Sequence, residues 1–259
     1  MKWLDLIRRC QGWCVPMARL SLLLALAVGQ SAGAREMEPA TAPDLSILNV
    51  RVYDFAHVPD KEWIEAERIA RLVFRDAGID IALIRCTQES MSAGSPACRS
   101  TSGANNLALR IISGALVEMP ESQDSIGIAL LGHEGNPATV AYIYFSRVEE
   151  LGWEMARSTT PGTGGMFFGP SWVEKWKSLT LGVAMAHELG HLLLGPRSHA
   201  VDGIMSPVWT RDMLVRAWGG QSRFTMVQAG QLRSEVIVRS LGRTSPASAI
   251  TVVDRMARL

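Results

Sequence analysis

Past residue 44 the spacing of apolar positions changes several times, and each change marks an element. Ile47–Phe55 alternates β-branched and polar residues as a half-buried strand does. From Asp60, read as a helix cap, Trp63, Ala66, Ile69, Ala70, Val73, Phe74 and Ala77 recur every three or four residues. That is the stripe of an amphipathic helix, and Gly78 stops it. Ile79–Arg85 returns to strand character, and a Ser/Gly/Pro-rich loop carrying Cys86 and Cys98 follows. Leu107–Ile112 is a third strand. Ile126–Leu131 and Thr139–Phe145 form a strand pair around the turn residues Gly132–Pro137. Residues 158–171 carry Gly162, Gly164, Gly165 and Gly169 and read as a flexible loop. The strongest helix runs from about Ser178 to Leu194 and is closed by Gly195-Pro196. Trp209–Ala217 is a short helix, and the capping box Thr225-x-x-Gln228 opens another that reaches about Leu241. The order β-α-β-β-β-β-α followed by helices, without repeats, predicts an α+β fold with one mixed sheet.

The start of the chain follows different rules. Arg19, the apolar run Leu20–Val28 and the small-residue end Ala32-Gly33-Ala34 make a signal peptide over residues 1–34, with Met17 an alternative start. The uncharged stretch is shorter than the roughly 18 residues a spanning helix needs, so no stable membrane span is expected after cleavage. Arg8-Arg9 gives only a weak twin-arginine pattern. Residues 35–44 are a Pro/Ala-rich lead-in, and 35–259 is expected to be one domain, exported to the periplasm or beyond.

Composition adds limits. Of 259 residues 47% are apolar and 20% charged, with a net charge of +1, so the chain can build a large core and lacks the basic excess of a nucleic-acid binder. Cleavage after Ala34 removes four of the 26 basic residues and one of the 25 acidic ones, leaving −2. Cys10 and Cys14 leave with the signal. Cys86 and Cys98 remain, and in an exported chain they predict one disulfide over a short loop, two free thiols being the alternative.

Three of the five histidines fall within thirteen residues, in His187-Glu188-Leu189-Gly190-His191 and then His199. On a helix, His187 and His191 are one turn apart on one face, the separation two zinc ligands need. Glu188 is rotated by about 100° and suits a general base that takes a proton from a zinc-activated water. From this chain's own composition, H-E-x-x-H is expected by chance only roughly 0.005 times, so accident is a weak explanation. Zinc needs a third protein ligand. His199, brought back after the helix stop, is the first choice and Asp202 the competitor, while Asp212 and Glu235 would serve if a later helix donated it. Met185, Leu189 and Leu192, on the opposite face, are expected to be buried against the sheet. Gly190 within the helix suggests close approach of another element. His57 and His133 read as surface or loop histidines. Trp172, Trp176, Trp209 and Trp218 read as packing residues.

With Gly203-Ile204-Met205-Ser206-Pro207 downstream, the histidine motif resembles the metzincin clan of zinc metallopeptidases, in its matrixin-like form. The clan's pattern is H-E-x-x-H-x-x-G-x-x-H. Here Gly195 comes one residue later and His199 two later, while Met205 keeps its separation from His191. The stretch Trp209-Thr-Arg-Asp212 and Phe224-Thr225 is similar to exported bacterial proteins sharing an H-E-[IL]-G-H-L-L-L-G core. The resemblance implies a zincin-like fold: a twisted mixed sheet packed on an N-terminal helix and the H-E-x-x-H helix (an upper part, about 44–195), followed by a mostly helical lower part, about 196–259. It implies a zinc endopeptidase acting on peptides or proteins, with Zn2+ on His187, His191 and His199 and Glu188 as base. Met205 would be the floor of the site, and one strand of the Ile126–Leu131 and Thr139–Phe145 pair a sheet edge for substrate. No Tyr follows Met205, and no cysteine-switch propeptide is visible. The alternatives are a non-catalytic exported module of the same fold and a zinc hydrolase of a non-peptide amide.

Overall fold

The computed structural model describes residues 47–99, 106–114, 125–130, 132, 137–158 and 170–241. The expected signal peptide over residues 1–34, residues 35–44, most of the glycine-rich stretch 158–171, His133 and the segment from Gly242 onward lie outside them. Five strands form one sheet: β1 (Leu48–Asp54), β2 (Ile81–Thr87), β3 (Asn106–Ile112), β4 (Gly127–Leu130) and β5 (Val140–Tyr144), in the order β2-β1-β3-β5-β4. β1 pairs in parallel with β2 and β3, and β3 with β5; only β4 runs antiparallel, against β5. The sheet is mixed, as expected, and β4 is one of its two edge strands, β2 being the other.

Among the described residues six helices accompany it: α1 (Asp60–Asp76), α2 (Gln88–Ser92), α3 (Phe145–Ser158), α4 (Pro170–Leu194), α5 (Arg211–Trp218) and α6 (Met226–Ser240). The predicted stripe of α1 is buried from Trp63 to Phe74 and packs against α4. Each such large apolar side chain contributes ~1.5–3 kcal/mol relative to exposure. The approach is close: a Cβ at Gly182 would lie 2.7 Å from the Ala66 carbonyl oxygen. Met185, Leu189 and Leu192 are buried in the core. Among the described residues no helix is long and apolar enough to cross a membrane.

Several boundaries differ from the sequence reading. Pro59, not Asp60, is the N-cap of α1, and no side chain caps it. The Asp60 carboxylate is drawn instead to Arg85, at 2.7 Å. Arg85 also binds Asp54 at 2.7 Å and the Val58 carbonyl, and lies over the Trp63 ring, so one guanidinium ties β1, β2 and the start of α1 together. Cys86 is inside β2 rather than in a loop, and its disulfide to Cys98 forms, with a Cα–Cα distance of 5.6 Å. The short α2 and a 3-10 turn at Pro96–Cys98 fill the loop it closes.

Helix α3 was not expected. It begins directly where β5 ends, and its buried Phe145, Val148, Met155 and Ala156 are spaced helically. α4 starts eight residues before Ser178, because Pro170 suits a first helical turn and Val173 and Trp176 continue its buried face. α5 starts at Arg211 rather than Trp209, since the Thr210 hydroxyl accepts the Met213 N–H and caps it. The Thr225/Gln228 capping box is formed as predicted.

Glu62 sits on the buried side of α1 at 3% exposure, with one carboxylate oxygen unpartnered. Burial raises its pKa above the usual carboxylate range, Lys177 opposing and Glu149 and Glu174 adding to the shift. The native protein therefore keeps this proton to higher pH than the unfolded chain does. The associated stability is full below pH ~4.3 and is lost as pH rises through the raised native value. Glu62→Gln should match wild type near pH 4 and become progressively more stable than it toward pH 8, in urea unfolding followed across that range. A stability difference independent of pH would contradict this assignment.

Candidate metal centre

The second half of α4 carries the site. Residues Ser178 to Gly190 are all buried, so the polar pair His187 and Glu188 is held inside an apolar rod. The helix ends at Gly195, whose φ of +89° reverses the chain, and the segment up to His199 folds back over the last turn. His191 Nε2 comes to 3.0 Å from His187 Nε2 and 3.1 Å from His199 Nε2. The ligand atoms of the three histidines all lie within 4.8 Å of one another, a group that could hold a metal ion. His187 is buried and His199 exposed.

The hydrogen bonds around the rings fix which nitrogen carries the proton. His187 Nδ1 is 2.8 Å from the Ile204 carbonyl, and a carbonyl can only accept, so Nδ1–H donates and Nε2 keeps its lone pair. The Ser198 hydroxyl donates to the Gly195 carbonyl at 2.7 Å and is 3.0 Å from His191 Nδ1, leaving that oxygen to accept the His191 N–H. Two imidazole lone pairs therefore face one another at close range, which a cation between them relieves. Burial depresses the His187 pKa to about 3, the Ile204 carbonyl opposing, and also lowers that of His191. Both rings stay neutral, as metal ligands must.

Glu188 is 3% exposed, and its Oε2 has no hydrogen-bond partner. Burial pushes its carboxyl up to about 8. Strand β4 passes directly over it: a Cβ on Gly127 would meet Glu188 Oε1 at 2.8 Å and the Tyr142 carbonyl oxygen at 2.5 Å. Below the helix, a Cβ on Gly190 would collide with the Met205 sulfur and lie 3.1 Å from Phe224, so the close approach expected at Gly190 is made by the turn at Met205. Met205 is fully buried. The three histidines and Glu188 line an open cleft of about 580 Å³, bounded by β4, α3 and Trp209.

The competing ligands are elsewhere. Asp202, Asp212 and Glu235 do not join the cluster. Asp202 is exposed. Glu235 is buried in an ion pair with Arg239 at 2.8 Å, and that guanidinium also caps the Leu192 carbonyl at 2.6 Å. His57 is exposed with φ +56° and is likewise outside it. Trp176 is a packing residue, in edge contact with Trp172 at 5.9 Å. Trp209 is not only that: its ring stands 5.4 Å from His187, edge to face, and its N–H donates to the Ser206 carbonyl.

Sequence reasoning missed Gly127, Ser198 and Gln228. A lone glycine in a strand pattern signals close approach and could have marked Gly127. Nothing local distinguishes Ser198 from an ordinary loop serine. No protein-family model matches this chain, and no curated protein matches it.

Gly127→Ala should lower stability by ~1–3 kcal/mol in denaturant unfolding, because the Tyr142 backbone cannot move aside and the Glu188 carboxylate must. A variant as stable as wild type would mean that β4 does not cross Glu188 this closely.

Proposed function

We propose that the protein is an exported zinc-dependent endopeptidase of the metzincin-like kind, with zinc held by His187, His191 and His199. The observation that carries this reading is a buried carboxylate without a hydrogen-bond partner, lining the same cleft as three converging imidazoles. The nitrogen separations of 3.0 and 3.1 Å fit the donor set of a small tetrahedral ion, whose nitrogens at ~2.0–2.1 Å from the centre stand ~3.3 Å apart. Among the described residues no fourth His, Cys, Asp or Glu joins the three. That favours a centre with one open position over the closed four-ligand site of a structural metal.

When bound there, zinc supplies Lewis acidity, lowering the pKa of water and polarising a carbonyl. The chain supplies the rest. His187 is fixed by the Ile204 carbonyl and His191 by Ser198, so each presents an unprotonated Nε2. With a cation in the site its positive charge would oppose the upward push of burial and favour the ionised form, in which Glu188 can take the proton of the attacking water at Oε2. As the scissile C–N bond breaks, the now neutral acid delivers that proton to the departing amine and returns to the carboxylate form. Gly127 leaves room for this carboxylate. The edge strand β4 has no neighbour on its outer side among the described residues, which suits an extended peptide laid beside it and favours a peptide over a small amide. The Cys86–Cys98 disulfide is compatible with an exported protein.

The test is metal content together with peptide hydrolysis. Wild type should carry one zinc per chain and lose activity to a chelator. Glu188→Ala should keep the zinc and lose ~10²–10⁴-fold in kcat. A zinc-loaded wild type that hydrolyses no member of a broad peptide library would sink the endopeptidase reading.

A further inference from the structure

His199 is the ligand whose position is hardest to explain. His187 and His191 ride on a helix and each has its Nδ1 engaged. His199 stands on an exposed turn, and its ring makes no hydrogen bond among the described residues other than the contact with His191 Nε2. Its aim is therefore set by its backbone. Two clamps flank it. On one side the Ala200 N–H donates to the Met205 carbonyl at 2.9 Å. On the other the Ser198 carbonyl accepts from Gln228 Nε2 at 2.8 Å.

Gln228 is 7% exposed and belongs to the first turn of α6. Its Oε1 accepts the Thr225 N–H at 3.0 Å, while the Thr225 hydroxyl accepts the Gln228 N–H at 3.2 Å. A capping box needs only that oxygen, and glutamate serves as well as glutamine. The amide nitrogen is surplus to the cap, and it is the atom that reaches the loop.

We infer that Gln228 is a positioning residue for His199: one end of its amide caps α6 while the other clamps Ser198 and so holds the third histidine in register with the first two. This rests on the proposed reading that the three histidines hold a cation. It also accounts for the displaced histidine, since the longer connection between His191 and His199 is fastened to a helix thirty residues further on rather than shortened.

The two ends of the amide can be separated experimentally. Gln228→Glu keeps an oxygen for the Thr225 N–H and replaces the donor facing the Ser198 carbonyl with an acceptor. Zn2+ affinity, measured by chelator competition on the full exported chain, should fall about 10- to 100-fold, the range for residues that orient metal ligands. The unfolding midpoint of the metal-free protein should fall as well, since a buried donor to the Ser198 carbonyl is lost, but no further than in Thr225→Ala. In a His199→Ala background the same substitution should change affinity less than about twofold, because the group it acts through is gone. Thr225→Ala should lower the metal-free midpoint at least as far while leaving Zn2+ affinity within about twofold of wild type. Wild-type affinity in Gln228→Glu, an undiminished effect without His199, or an equal affinity loss in Thr225→Ala would each overturn the inference. Failure of the hydrolase reading looks different. Zinc bound with the predicted dependence on Gln228 but no hydrolysis leaves this inference standing. Hydrolysis that needs Glu188 but ignores Gln228 removes it alone. A wild type that takes up no Zn2+ removes both.

Discussion

A helix buried on almost every side must answer for each polar group it carries, and α4 sets the terms for the rest of this molecule. From Ser178 to Gly190 every residue is buried, yet the run includes an imidazole and a carboxylate. Burying such groups costs several kcal/mol unless they are bonded. His187 meets the requirement through the Ile204 carbonyl, which ties the helix to the turn beneath it. Glu188 does not meet it, and its unpartnered oxygen, like those of Thr180 on the same helix and Glu62 on α1, is a point at which the structure departs from what stability alone would select.

The remaining elements can be understood as what keeps α4 in place while leaving that carboxylate accessible from one side. α1 and α3 cover its flanks. Arg239, buried with Glu235, reaches the Leu192 carbonyl near the end of α4 and the Ala138 carbonyl ahead of β5, so α6 is bonded both to α4 and to the approach to the sheet. The turn at Met205 can press against Gly190 because that position has no side chain. Removing either the glycine or the methionine would open a different problem: overpacking in one case, a cavity under the histidines in the other.

Much of this was legible in the sequence, and the unreadable part has a common cause. The stripe of α1, the strands and the histidine helix all announce themselves locally, and the capping box at Thr225 is a four-residue signal that the structure honours. α3 was hidden because Tyr144 and Phe145, large and apolar, extend the strand pattern of β5 into the first turn of the helix. Asp60 looked like a cap because its pull toward Arg85, twenty-five residues away, is invisible in the local pattern. The site divides the same way. His187, Glu188, His191 and the choice of His199 over Asp202 could be reasoned from spacing and ligand number. The reach of Gln228 to Ser198 could not, since only the folded chain brings the two near, and at Gly127 the one signal was a lone glycine in a strand pattern.

Glu188 and Gln228 mark opposite solutions to one problem. A polar side chain in a packed interior can close all its bonds and become structure, or be left open to a further partner. Gln228 closes them: oxygen to its own helix, nitrogen to the loop, and the result is a fixed turn. Glu188 sits under a strand whose glycine leaves room for the carboxylate but offers it no donor side chain. The same sheet edge could have carried a serine or threonine at 127 only by displacing that carboxylate, so the small residue and the open oxygen are a single choice. What the fold gives up in stability at Glu188 it holds elsewhere, through the apolar faces of α1 and α4 and the bonded termini around them.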